Sequence, residues 1–529
     1  MTSSPFQFEQ PVRSVAIIGA GPSGLAVAHA LLKEPAPSAS NLSAGLDQQE
    51  PYFRVTLFDR QATIGGVWNY TPETKPATDN YPAARVPATN PLLYNNNNDN
   101  DHDGWYNAMY RDLETNIPTE VMQFANTPFP PGTDVFPSAR EVRDYVRAYG
   151  RDLEPLVRLR TQVIDAHKEG SSWVVTSRHL DEPQGNSSSS AGTTQVERFD
   201  ALVLATGHYD TPYIPEVPGL HAFAATHPGV VAHAKAFSVP EAYKDKRVLI
   251  VGNSASGFDI ASEVAGGGAS RVYRSSRGSV ASSSPADETV QDPRVEDRPL
   301  ISEYRASPGE VIFTDGTSLI LGRDFDHVLY CTGYLYAFPF LKTYIEPAAV
   351  GDDSSSNDEN NDNMVQYHPK AKTSNRLYRL YRQLIYYPDP TLAVMVMTKQ
   401  TVPFPLAESQ GAVLARVYSG RLQLPAAAAM RAAERERERE IASAAAVAED
   451  DAGVHGQAFH SFKFPRDVEY YRLLQTWLDE VVDRPDQGFH PLVWDDVKYQ
   501  QRQRASQLKL DRIRKRLDKV REDLEKDKN

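Results

Sequence analysis

Two glycine-rich turns have the residue types and spacing to hold a dinucleotide. Gly19-Ala20-Gly21-Pro22-Ser23-Gly24 follows the apolar run Val12–Ile18 and opens the helical stretch Leu25–Lys33. A strand, a GxGxxG turn and a helix in that order form the dinucleotide fingerprint in its proper context. The first glycine permits the tight turn, the second lets backbone approach a pyrophosphate, and the third lets helix and strand pack closely. The helix N-terminus offers free N–H groups and partial positive charge to the phosphates. The next strand, Arg54–Asp59, ends in Asp59, a carboxylate placed to hydrogen-bond a ribose; the intervening Pro35–Pro51 stretch explains its distance from the turn. Gly252-Asn253-Ser254-Ala255-Ser256-Gly257 repeats the arrangement after Arg247–Val251, with Ser254 in place of the middle glycine. A second copy argues for a second nucleotide.

The strand after this second turn ends Tyr273-Arg274-Ser275-Ser276-Arg277 and carries no carboxylate at its end. Arginine there suits the 2′-phosphate of NADP, and a guanidinium fork can hold phosphate bidentately. Arg277 is the expected contact, with Ser275 or Ser276 adding a hydroxyl. Two further turns, Ala205-Thr206-Gly207 and Cys331-Thr332-Gly333, close apolar runs that each begin with aspartate (Asp200, Asp326). With the two fingerprints they suggest two nucleotide-binding units in series. Cys331 is the single cysteine and is read as core. One cysteine excludes a disulfide framework, a thiolate zinc site and a dithiol redox pair, and no metal is expected.

The chain has 529 residues, 56 Lys+Arg against 69 Asp+Glu, and a net charge of −13. That balance excludes a general attraction for nucleic-acid phosphate. No apolar run reaches spanning length, and the first residues lack the plan of a secretory signal. A cytoplasmic protein is expected, with peripheral membrane contact left open. Apolar strands of about five residues alternate with helices, which predicts an α/β fold with parallel sheets. Pro35–Pro51, Tyr94–Gly104, Asp181–Gln195 and Gly351–Asn363 read as loop insertions. Pro425–Asp451, Ala-rich with alternating Arg and Glu, reads as an exposed helix or a partly disordered excursion. Leu510, Ile513, Leu517, Val520 and Leu524 form an a/d stripe in a terminal segment, 498–529, with twelve basic and six acidic residues. It is either a helix packed on its own domain or a partner helix of a homo-oligomer. Lying outside every motif, it is expected to be dispensable for cofactor binding.

These motifs together resemble the flavin-containing monooxygenase family, of the fungal type. Gly19–Gly24 and Ile64–Pro72 (IGGVWNYTP) resemble the family's flavin-binding opening, and Met109–Phe124 its active-site strip. Gly252–Ala261 resembles its NADP turn, Cys331–Leu341 its ATGY-type segment, and Val402–Gly411 a late family segment. The identifying motif FxGxxxHxxxY/F is matched by Gly229, His233 and Phe237, with His227 at the first Phe. Phe237, where Baeyer–Villiger enzymes carry Trp, favours the heteroatom-oxygenating branch. The resemblance implies two Rossmann-like domains: an FAD domain from residues 1–210 and 331–529, and an inserted NADP domain, 211–330. It implies bound FAD and NADPH, a small-molecule substrate, and O₂ activated as a C4a-hydroperoxyflavin that oxygenates sulfur or nitrogen. Asn116 is the implied catalytic residue, beside Thr115 and Ile117. Gly66, Val67, Trp68 and Gly207 join the flavin and nicotinamide side, and Gly333 the NADP side and a flavin contact. His233 is assigned no proton transfer and is read as positioning a linker. A flavin disulfide reductase is rejected by the single cysteine. The alternatives are a Baeyer–Villiger ketone monooxygenase and a nucleotide-binding regulatory protein without turnover.

Overall fold

A computed structural model describes residues 4–37, 51–72, 75, 105–180, 193–276, 291–346, 365–366, 376–447 and 458–526. Most of the four expected loop insertions, and Arg277, lie outside the described residues. The chain divides into two compact units. The first comprises 1–69, 117–208 and 336–505; the second comprises 70–116, 209–335 and 506–529.

The first unit is built on β1 (Ser14–Ile18), α1 (Pro22–Leu32) and β2 (Arg54–Phe58). β1 runs parallel to β2, with Val15 opposite Val55, and parallel to β3 (Ala201–Leu204), with Val15 opposite Ala201. Strand Leu392–Val394 adds in parallel beyond β3, and a short antiparallel hairpin completes that edge. The central strands are buried on both faces, which is why they read as apolar runs without alternation. Asp200 sets the register: its carboxylate accepts the N–H groups of Arg13 (2.9 Å) and Ser14 (2.7 Å) at the start of β1.

The second unit repeats this plan. β4 (Arg247–Val251), α2 (Ala255–Gly266) and β5 (Arg271–Ser275) are followed by β6 (His327–Tyr330), and β4 is parallel to both β5 and β6. Asp326 takes the place of Asp200, accepting the Arg247 N–H at 2.8 Å. The sheet has five parallel strands. The α/β expectation with parallel sheets is met in both units.

Segments 70–116 and 506–529, placed with the larger domain on sequence, belong to the second unit. The first is held there by polar contacts that periodicity does not reveal. Tyr110 donates to Asp259, Tyr70 bonds Ser238 at 2.7 Å, and Lys75 donates to the carbonyls of Lys235 and Phe237. The chain passes between the units after 208 and after 335.

Helix α3 (Pro403–Ser419) packs on α1 in the first unit. The Ala/Arg/Glu segment is helix α4 (Ala427–Val447), anchored by buried Met430, Glu434 and Ile441. Glu434 accepts from Arg376, the Arg379 N–H and Tyr387, so a polar anchor replaces the missing large apolar ones. After α5 (Arg466–Leu478), one helix, α6 (Asp496–Lys526), ends the description. Leu517 is fully buried and the rest of its apolar stripe half-buried, with Lys509 and Arg512 bound to Thr115 and Glu114 in the second unit. The stripe packs on its own chain.

The N-terminal part of α6 packs in the first unit. Arg502 is ion-paired at 2.6 Å with Asp467, whose side chain is fully buried in the first unit. Burial pushes the Asp467 carboxyl up, and Arg502 offsets that shift. Arg502→Met leaves a buried carboxylate alone and should cost about 3–5 kcal/mol in urea denaturation at pH 7. A carboxyl with a raised folded-state pKa destabilises the fold as pH rises past its unfolded value. The deficit should therefore shrink between pH 7 and pH 4; a deficit unchanged by pH would show that lost packing, not charge, is responsible.

Candidate functional site

In the first unit the site grows from the end of β1. Gly19 has φ +109°, and a Cβ there would lie 2.4 Å from the Ala205 carbonyl oxygen of the neighbouring strand end. A Cβ on Gly24 would lie 1.9 Å from the Gly19 carbonyl oxygen. Helix α1 can therefore seat on the turn only with glycine at 24. Gly21 is the N-cap, Pro22 begins the helix, and no side chain caps it or places acid in its first turn. By contrast, helix Ala139–Tyr149 carries a complete capping box from Ser138 and Glu141. The first-turn N–H groups of α1, including those of Ser23 and Gly24, are the kind of end that receives an anion. Ala20 is buried, and its N–H donates to Asp59 at 2.7 Å.

Asp59 itself is 6% exposed and also accepts the Gln61 N–H at 2.8 Å. Burial pushes its carboxyl up, and these backbone bonds pull it back. Its demonstrated work is to brace the turn. Gly66 (φ +60°) backs directly onto Gly21: a Cβ on Gly66 would lie 2.8 Å from the Gly21 Cα. Val67 and Trp68 follow in the same short 3₁₀ turn, and Trp68 meets Phe404 edge-on at 6.1 Å. Asn69, buried, donates to Gln61 and to the carbonyls of Thr63 and Ile64, and accepts from Arg147. Sequence reasoning missed Gln61 and Asn69, because their partners are main-chain atoms of a loop without periodicity. Gly207 (φ +67°) turns the chain at the end of β3.

The second unit carries the same geometry. Gly252 has φ +119°, and its Cβ would lie 2.6 Å from the Cys331 carbonyl oxygen; a Cβ on Gly257 would lie 2.1 Å from the Gly252 carbonyl oxygen. Ser254 is the N-cap and makes no side-chain cap bond, and no acid stands in the first turn of α2. Ser254, Ala255 and Ser256 are exposed. Arg274 is 1% exposed and holds Asp297 through Nε (2.8 Å) and Nη2 (3.1 Å), while Ser275 donates to the Pro299 carbonyl. Both are committed to the fold, so the Ser275 hydroxyl is not available to a phosphate in this arrangement.

His233, 7% exposed, links two of the second unit's turns. Its Nε2–H donates to the Gly333 carbonyl at 3.0 Å, and its Nδ1 accepts the Lys235 N–H at 3.1 Å. Burial lowers its pKa to about 3, so the ring is neutral at physiological pH and serves position rather than proton transfer. His227, at the motif's first aromatic place, bonds the Ala306 carbonyl at 2.8 Å. Gly333 has φ +88°. Cys331 is buried and its thiol pushed up to about 12, which leaves no reactive thiolate. Thr115 is buried and its carbonyl accepts from Lys509, whereas Asn116 is exposed and Ile117 half-buried. The division between units falls between Asn116 and Ile117. Among the described residues no His/Cys/Asp/Glu group is placed to hold a metal ion, and no helix is long and apolar enough to cross a membrane.

The two glycine contacts generate paired predictions. Gly24→Ala must push α1 off the turn and should purify with at least about tenfold less flavin than the parent, an effect of ~1.4 kcal/mol or more on binding. Gly257→Ala should keep its flavin absorbance. Equal flavin loss in both variants would contradict an assignment of flavin to the first turn.

The Flavin-binding monooxygenase-like family model matches residues 93–288. The thiol-specific monooxygenase of Saccharomyces cerevisiae is 28% identical over 490 residues, 92% of this chain and 89% of that protein. Flavin-containing monooxygenase FMO GS-OX-like 2 of Arabidopsis thaliana is 31% identical over 433 residues, 78% of this chain and 75% of that protein. The structure of S-allyl-L-cysteine S-oxygenase from Allium sativum superposes with a TM-score of 0.67 at 25% identity, covering 97% of this chain and 99% of the other. On that extent of similarity, the chain belongs to the flavin-containing monooxygenase family and is a flavin-dependent monooxygenase.

Proposed function

We propose that this chain uses NADPH and O₂ to oxygenate soft sulfur nucleophiles, with FAD on the first unit and NADP on the second. The overall exchange is NADPH, a proton, O₂ and a thioether going to NADP⁺, water and a sulfoxide. The observation that carries the reading is the repeated turn: in each unit an uncapped, acid-free helix N-terminus sits on a glycine carbonyl at the end of the central parallel strand. That is where open parallel sheets bind dinucleotides. Sulfur is favoured because the yeast relative is named as thiol-specific and the garlic structure as a cysteine S-oxygenase.

Bound flavin supplies the two-electron exchange with nicotinamide and the activation of O₂. The chain supplies position. Gly19–Gly24 would receive the FAD pyrophosphate, with the close backing of Gly66 on Gly21 keeping the approach free of side chains. Asp59, already bonded to Ala20, keeps acceptor capacity for a ribose hydroxyl. Gly252–Gly257 would receive the NADP pyrophosphate. The 2′-phosphate falls to Arg277, since Arg274 is held by Asp297. Asn116 presents an exposed amide that can donate and accept without bringing a charge to the oxygen chemistry. On this reading FAD belongs to the unit of 1–69, 117–208 and 336–505, and NADP to the unit of 70–116, 209–335 and 506–529.

The test is oxygen uptake by the FAD-loaded protein with NADPH against a thioether, a tertiary amine and a ketone. Thioether-dependent uptake with sulfoxide formation is expected. Ester formation from the ketone alone would favour Baeyer–Villiger chemistry, and no uptake with any of them would favour a binding protein. Asn116→Leu should still oxidise NADPH but divert most turnover to hydrogen peroxide, read as peroxide released per NADPH. Sulfoxide yield per NADPH equal to the parent's would remove Asn116 from the mechanism.

A further inference from the structure

Beyond strand Leu392–Val394 in the first unit, the chain runs through a segment held far more firmly than a surface loop requires. Val396 has φ 53° and Gln400 φ 62°. For β-branched Val396 that conformation is an outlier, and such strain persists only where the surroundings impose it. The surroundings do so here. The Val396 N–H donates to Gln410 Oε1 at 2.8 Å, and Tyr336 donates to the Met397 carbonyl at 2.6 Å. Lys399 is tied on both sides of its own peptide, donating to the His460 carbonyl (2.7 Å) and accepting from the Phe462 N–H (3.0 Å). Gln410, from the late family segment, is thus used to fix a loop rather than to meet a ligand.

The side chain so presented is a half-buried ammonium. Lys399 Nζ lies 5.4 Å from the centre of the Tyr336 ring, whose neighbours are His208 at 5.6 Å and His460 at 5.3 Å. Among the described residues it makes no ion pair with a carboxylate. Burial alone lowers its pKa, to about 8. The facing histidines bring no negative charge. Burial lowers His208 to about 3, and His460 is held neutral, donating from Nδ1 to Gln383 and accepting the Leu377 N–H at Nε2. A desolvated cation with no acid partner costs stability. Its loop leaves the C-terminal end of strand Leu392–Val394, which pairs in parallel with β3, on the edge of the sheet where the Gly19 and Gly207 turns also leave and where such sheets take their ligands.

We propose that Lys399 is a specificity-determining residue whose ammonium receives the carboxylate of an acidic sulfur substrate. The inference rests on the sulfur-oxygenase reading above and narrows it to thioethers and thiols bearing a carboxylate near the sulfur. The pinned loop holds the cation in place, and the Tyr336 face and neutral imidazoles keep it partly dry, so that an anion gains more there than in water.

The probes are 3-(methylthio)propanoate and its methyl ester, which differ at the carboxylate alone, oxidised by the FAD-loaded protein with NADPH. The parent should favour the acid in kcat/KM, and Lys399→Met should lower the acid-to-ester ratio about tenfold or more, the usual effect of a charged hydrogen bond. Lys399→Arg should restore much of it. In the parent the ratio should fall as pH rises through about 8, where the ammonium loses its proton, and be flat with pH in Lys399→Met. That pH dependence of the parent stands as evidence even if Lys399→Met fails to fold. Equal use of acid and ester by the parent, with both oxygenated, overturns the proposal and leaves the sulfur reading intact. Loss of flavin in Lys399→Met with the ratio unchanged overturns it in favour of a role at the cofactor. Oxygenation of neither probe removes the sulfur reading, and the proposal with it.

Discussion

The seating of a helix on a carbonyl oxygen is the contact on which each unit depends. At Gly24 a single methyl group would stand 1.9 Å from the Gly19 oxygen, and at Gly257 one would stand 2.1 Å from the Gly252 oxygen. No rotamer relieves such a clash, because the place of a Cβ is fixed by its own backbone and its partner is a backbone oxygen. The closeness fixes the helix axis against the strand end and aims its uncapped N–H groups out of the sheet. Asp200 and Asp326 secure the same strands from the other end, each by accepting backbone N–H groups at the first residues of the central strand. Both units therefore use the same clamp: an aspartate at the start of the sheet and a glycine contact at its finish.

Around this frame, charge is placed with restraint. The first turns of α1 and α2 contain no acid, and the buried carboxylate nearest the first turn, Asp59, is satisfied by backbone donors. In the second unit His233 and Cys331 are both held uncharged by burial. The chain's contribution is arrangement, which suits a reaction whose bond-making belongs to a cofactor.

Much of this was legible in the sequence, for a definite reason. The glycine turns, Asp59 and the buried strands are local signals, set by spacing along a few residues. What was not legible depends on contacts across long separations. Segment 70–116 joins the second unit through Tyr110, Tyr70 and Lys75, none of which sits in a periodic pattern. Helix α4 is anchored by buried Glu434, a residue that composition counts as exposed. That Arg274 is committed to the fold shows only in its bond to Asp297, 23 residues on. The a/d stripe of α6 left a partner helix open as the alternative to packing on its own domain, and the contacts of Lys509 and Arg512 return it to its own chain.

The proposed function requires that one atom of dioxygen be delivered to sulfur for each NADPH consumed. The most direct measurement is mass spectrometry of the sulfoxide formed from a methyl thioether by the FAD-loaded protein and NADPH under ¹⁸O₂. The account predicts one labelled oxygen per sulfoxide, with sulfoxide and consumed NADPH in equal amounts. Unlabelled sulfoxide, or NADPH oxidation that yields hydrogen peroxide and no sulfoxide, would contradict it.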